Sequence, residues 1–101
     1  MKILQSSVFE KWLLSLKDAK IKAMIVRRLE NIVASGHLGD FKSIEGELKE
    51  LRFFNRSGVR IYFALRGNIL IILLNGGTKS SQKRDIIKAK ELLKEFDDEK
   101  I

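Results

Sequence analysis

Hydrophobic and polar positions alternate strictly from Val59 to Arg66. Val59, Ile61, Phe63 and Leu65 fall on one face, and Arg60, Tyr62, Ala64 and Arg66 on the other, the two-residue period of a half-buried β-strand. The next segment, Ile69 to Leu74, is apolar at every position, as expected of a strand covered on both faces. Gly67-Asn68 between them reads as a two-residue hairpin, because both residues tolerate the positive φ such turns need. Upstream, Leu51 and Phe53 share one face and Glu50 and Arg52 the other, with Asn55 to Gly58 as a looser turn. The run from Leu51 to Lys79 therefore reads as three antiparallel strands. In that arrangement Arg52 and Arg60 can emerge from the same face of one sheet.

Elsewhere the period is helical. Ser7-x-x-Glu10 has the form of a capping box, and Phe9, Trp12, Leu13 and Leu16 follow as one apolar stripe. Trp12 sits inside that stripe and reads as a core anchor. Asp18 can cap a second helix, whose buried stripe is Ile21, Ile25, Leu29, Ile32 and Val33 and whose exit is Ser35-Gly36. Arg27 and Arg28 read as part of its solvated face. Gly36 to Gly46 reads as a loop tethered by Phe41 and Ile44, and Met1 to Leu4 as a candidate edge strand. Asn75-Gly76-Gly77 is expected to break the chain, after which Ser80 or Ser81 caps a last helix carrying Ile86, Ala89, Leu93 and Phe96 on one face. The expected fold is α+β in one domain, 1–101. An N-terminal helical hairpin packs on a small antiparallel sheet of three main strands, with the C-terminal helix on the other side.

Composition narrows the function classes. The 101 residues contain no Cys, which removes disulfides and thiolate metal sites, and the one histidine, His37, sits in a Gly-flanked turn. No metal site and no cofactor are expected. Met1 to Leu16 lacks the apolar core of a leader, and the Ile69–Leu74 run is too short to span a bilayer. The expectation is a cytoplasmic protein with no membrane partner. A formal net charge of +7 points to a polyanionic partner if the charges gather on one surface.

The acids form no carboxylate dyad. The segment Gly76 to Ser80 lies between a strand and a helix start, where free N–H groups favour an anion. It lacks the spacing of a nucleotide-hydrolysing loop. What remains is a cationic set, Arg52, Arg60 and Lys79, with Arg56, Tyr62, Gln82 and Lys83 as candidate RNA contacts. Arginine offers a planar fork of donors to phosphate oxygens, and a lysine among cations can be shifted towards use as a base. RNA supplies its own nucleophile, the 2′-OH. Cleavage then needs a proton acceptor, donors around the phosphorane and a proton for the leaving oxygen.

Three motifs, Glu50-Leu51-Arg52, then Gly58-x-Arg60-Ile61-Tyr62-Phe63, then Ile72-Leu73-Leu74-x-Gly76-Gly77-x-Lys79-Ser80-x-Gln82-x-x-Asp85-Ile86, resemble the RelE/ParE toxin superfamily. Within it, the chain resembles the phage-derived, HigB-like addiction module killer proteins. Phe9, Trp12, Leu13, Leu16 and Asp18 and the Gly39-Asp40 loop extend the likeness to nearly the whole chain. The resemblance implies the toxin of a type II toxin–antitoxin system, held by a cognate helix-turn-helix antitoxin. It also implies an endoribonuclease, an mRNA interferase that cuts mRNA on the ribosome without metal and inhibits translation. By that likeness Arg52 and Arg60 stabilise the phosphate and Lys79 contacts phosphate or moves a proton. Val59 stands where many relatives have Tyr, and no His or Tyr follows the last strand, which leaves the general acid and base open. A ParE-like, non-enzymatic gyrase inhibitor and a non-toxic binding module for RNA or protein are the alternatives.

Overall fold

The computed structural model describes residues 1–53, 57–67 and 69–99. Five strands form one sheet: β1 (Lys2–Gln5), β2 (Phe41–Glu45), β3 (Leu48–Arg52), β4 (Val59–Arg66) and β5 (Leu70–Thr78). Their spatial order is β1-β5-β4-β3-β2, with β1 parallel to β5 and every other pair antiparallel. The helices are α1 (Ser7–Ser15), α2 (Ala19–Ser35) and α3 (Gln82–Glu99), the last entered through a 3-10 turn at Lys79–Ser81. None of them is long and apolar enough to cross a membrane.

The alternation expected of β4 holds, and both of its faces are covered. Ile61 and Phe63 join Phe9, Ile25 and Ile32 in a core beneath α1 and α2, whereas Tyr62 and Ala64 join Ala89 and Leu92 beneath α3. The apolar β5 divides in the same way, Ile71 and Leu73 facing one core and Ile72 and Leu74 the other. Each such buried aliphatic side chain contributes about 2 kcal/mol of transfer free energy.

The sheet is larger than the sequence pattern suggested. Residues 36–46 are not only a loop, because Phe41–Glu45 pairs antiparallel with β3 through a turn in which Gly46 has φ 55°. Phe41, Lys42 and Ser43 are exposed, so this edge strand lacks the apolar alternation that marks a buried one. Nor do α1 and α2 pair as a helical hairpin. α1 runs along β5, and Phe9 of α1 and Ile25 and Ile32 of α2 enter one core with the sheet residues Ile61, Phe63, Ile71 and Leu73. The N-cap of α1 is Ser6, not Ser7. Its Oγ accepts from Phe9 N–H at 3.0 Å and donates to the Leu74 carbonyl, and its N–H bonds the Leu73 carbonyl at 2.9 Å. One serine thus caps the helix and fastens it to β5. The ends of α2 are as expected: the Asp18 carboxylate accepts from Lys20 and Ile21 N–H, and Gly36 closes the helix at φ 77°.

Asn75-Gly76-Gly77 does not break the chain. β5 runs through it to Thr78, because helices press on both faces at this point. A Cβ on Gly76 would lie 2.4 Å from the Trp12 ring, and one on Gly77 would lie 1.9 Å from the Asp85 carboxylate. The glycines admit the close approach of α1 on one side and α3 on the other. Gly76→Ala is expected to cost about 2 kcal/mol in urea unfolding, since the Trp12 ring must shift. Gly77→Ala should cost less, because a carboxylate tip swings aside more readily than an indole.

Candidate functional site: a cationic corner beneath helix α3

Strand register brings the two arginines together. Arg52 lies directly opposite Arg60 across the β3–β4 ladder, and Glu50 lies opposite Tyr62. All four therefore project from the sheet face that carries α3. Lys79 reaches the same corner through its backbone, its N–H donating to the Gly58 carbonyl at 3.0 Å. Arg60 Nη1 donates to that carbonyl as well, at 3.3 Å, and to the Val59 carbonyl at 3.4 Å. Lys79 and Lys83 are exposed at the start of α3, and neither has an ion pair among the described residues.

Each arginine already faces a carboxylate. Glu50, buried at 1% exposure, places Oε1 3.7 Å from Arg60 Nε and accepts a 2.7 Å hydrogen bond from Gln82 Nε2. Asp40 Oδ1 lies 3.2 Å from Arg52 Nη2. Asp85 sits against Gly77 and accepts from the Ser81 hydroxyl, while Thr78 N–H donates to Ser81 Oγ and Lys79 N–H to the Gly58 carbonyl. Two of the donors expected to hold an anion at Gly76–Ser80 thus already have partners in the chain. Alternate charges thus line the corner, and Lys79 and Lys83 supply its outward positive field.

Two expected RNA contacts are turned inward. Tyr62 shares the Arg60 face, as alternation requires, but is 0% exposed beneath α3. Burial first, then the Glu50 and Asp85 carboxylates, push its phenol well above the ordinary value of 10.0. It holds its proton and cannot meet a base without movement of α3. Gln82 spends its amide N–H on Glu50. Arg56 lies outside the described residues.

Arg28, on the solvated face by the helical period, instead organises this end of the sheet. Its Nε, Nη1 and Nη2 donate to the carbonyls of Leu38 (2.8 Å), Arg52 (3.0 Å) and Asp40 (2.8 Å). One face of the guanidinium lies 4.9 Å from the Phe53 ring centroid, and a Cβ on Gly39 would stand 2.9 Å from Cζ, Nε and Nη2 alike. Gly39, at φ 77°, is thus closely packed against the guanidinium, and the knot holds Asp40 where it can meet Arg52. Burial lowers the guanidinium's pKa, and Asp40 opposes that shift. The sequence did carry a trace of this role: Arg28 flanks the stripe, three residues after Ile25 and four before Ile32.

Residues 11–94 match the family described as phage-derived protein Gp49-like (DUF891). The chain belongs to that family. The Gp49-like chain is also 40% identical, over 88 residues, to an uncharacterized protein of Haemophilus influenzae, the match covering 87% of this chain and 88% of that one. Its fold is similar to a chain in the crystal structure of the RelB–RelE antitoxin–toxin complex of Methanococcus jannaschii, with TM-score 0.65 and 22% identity. That match covers 80% of this chain and 95% of that one. At this identity the likeness is one of fold.

Two measurements test this geometry. Arg28→Ala strands three carbonyls and should lower unfolding free energy by about 3 kcal/mol. Tyr62 is the one tyrosine, so its ionisation can be followed by tyrosinate absorbance. Because its folded value is raised, its contribution to stability is complete below the ordinary value of 10.0 and declines as pH rises beyond it. The folded protein should therefore titrate at higher pH than the urea-unfolded chain, and Tyr62→Phe should remove that part of the alkaline destabilisation.

Proposed function

We propose that this Gp49-like protein is the toxin of a type II toxin–antitoxin pair, of the HigB-like kind, and that it cuts mRNA on the ribosome without a metal ion. The observation that carries the reading is the cross-strand placement of Arg52 against Arg60, with Lys79 fastened to Gly58 at the same corner. Two guanidinium groups side by side can take the non-bridging oxygens of one phosphodiester, and charge that builds on those oxygens during attack by the 2′-OH is met by fixed donors. The family match and the RelE-like fold support the toxin reading. The partners it implies are a cognate helix-turn-helix antitoxin and ribosome-bound mRNA, both cytoplasmic.

In this reading the phosphate exchanges places with the resident carboxylates. Arg60 lies between Glu50 and the Gly58 carbonyl, so a dianionic phosphorane competes with Glu50 for the same guanidinium. Arg52 has the more exposed of the two ion pairs and turns more readily towards RNA. Lys79 is the exposed group at the corner that can move a proton to or from the reacting oxygens. Lys83 adds attraction for the neighbouring phosphates. Arg56 retains its role as an RNA contact on the motif resemblance alone.

Burial of the Tyr62 phenol also favours a second reading. A corner with no accessible tyrosine among its described residues suits a protein that binds an acidic surface and cleaves nothing, as a ParE-like gyrase inhibitor would. Purified protein added to a cell-free translation reaction separates the two. The nuclease reading expects mRNA cuts at translated codons and a loss of about 100-fold in cutting rate with Arg60→Ala. Intact mRNA alongside inhibited DNA supercoiling overturns it. Co-expression with the product of an adjacent helix-turn-helix reading frame should give a stable complex and restore growth.

A further inference from the structure

A basic hollow lies away from the corner, along α2. Lys20, Ala23, Met24, Arg27, Arg28, Asn31 and Phe53 line a cavity of about 530 Å³, within the range that holds a small ligand. No carboxylate is among the lining residues. Lys20 and Arg27 are exposed and stand seven residues apart, about 10 Å along one side of the helix. Met24 and Ala23 lie between them and Phe53 at the back, so an apolar floor separates two cations. Arg28 adds a charge fixed in place by Phe53, Gly39 and three hydrogen bonds, which leave two of its five N–H groups uncommitted by those bonds.

We propose that this hollow is a second nucleotide subsite for single-stranded RNA, occupied by a nucleotide further along the strand than the two that flank the phosphodiester held at Arg52 and Arg60. The proposal rests on the RNA reading above. Position argues for it: Arg28 Nη1 bonds the Arg52 carbonyl and Phe53 directly follows Arg52. The hollow, on the sheet face that carries α2, is thereby linked to the corner on the α3 face around the C-terminal end of β3. Chemistry argues for it too. Paired cations suit successive phosphates, an apolar floor suits the face of a base, and the exposed Asn31 amide offers both a donor and an acceptor to a base edge. An acidic peptide would use the cations but leave the floor without a partner.

Fluorescence anisotropy with the full chain and two labelled RNAs, a dinucleotide and an octanucleotide, tests the subsite. Lys20 and Arg27 are exposed, so the double variant Lys20→Ala/Arg27→Ala is expected to fold, and its thermal unfolding midpoint checks this. It should bind the octanucleotide about 10-fold more weakly, with a salt slope shallower by about 1 to 2. Its affinity for the dinucleotide should be unchanged. Unchanged octanucleotide affinity overturns the subsite, and so does an equal loss for both RNAs. Binding of a polyglutamate peptide as tight as that of the octanucleotide, and lost in the same variant, overturns it in favour of an acidic protein. Phe53 lies in the core, so Met24→Ala is the second variant: it should weaken the octanucleotide while leaving the salt slope unchanged, and a full retention of affinity counts against the apolar floor. The corner is read separately. If Arg60→Ala leaves dinucleotide binding unchanged, the function proposed above falls, whatever the α2 variants do.

Discussion

The close approach of two helices to opposite faces of β5 governs this molecule. At Gly76 the backbone meets the Trp12 ring, and at Gly77 it meets Asp85 and Ser81. Side chains larger than hydrogen would displace the Trp12 ring on one face or the Asp85 carboxylate on the other. Because α3 is held down here, its first turn lies over Glu50 and Gln82 can reach that carboxylate. The position of the helix then decides which cations are accessible. Arg60 is largely buried, while Lys79 and Lys83 are exposed around the start of α3.

The corner is consequently a balanced polar cluster rather than a bare positive patch. Glu50 compensates Arg60 and Asp40 compensates Arg52. Removing a guanidinium from water is costly without such partners, so the sheet can carry two adjacent arginines only because carboxylates were placed beside them. The same pairing keeps the arginines oriented while phosphate is absent. Any anion bound here has to offer more than a carboxylate does, and the higher charge and additional acceptor oxygens of a phosphorane meet that condition.

At the opposite end of α3, Arg66 joins Glu47 and Asp97 and lies 5.7 Å from the Phe96 ring centroid, and Lys90 pairs with Glu45. The paired carboxylates pull the Arg66 guanidinium pKa further up, and Lys90 draws Glu45 down. These contacts are partly exposed, so each adds modestly to stability. Apolar burial of Ala89 and Leu92 fixes the helix between its two ends. The helix is therefore held by its middle, and polar contacts set its angle.

The elements with strong periods were legible in the amino-acid order: the alternation of β4, the two-sided burial of β5 from Ile71 to Leu74, and the stripe of α2 with its Asp18 and Gly36 boundaries. Two positions depart from those patterns, Val33 being 47% and Ile69 70% exposed, because each stands at the margin of the covered region. The period of two allowed Arg52 and Arg60 to share a face, and the β3–β4 register that sets them opposite each other decided that they do. Tertiary structure decided what covers that face. Periodicity assigns Tyr62 a side of the sheet but not whether that side meets water, and α3 turned it inward. The extra strand β2 was invisible because an exposed edge need not be apolar. The place of Arg28 beside the α2 stripe was legible, but what it binds was not, because its three acceptors are backbone carbonyls, which carry no side-chain signature, and they converge only when residues 38, 40 and 52 are brought together by folding.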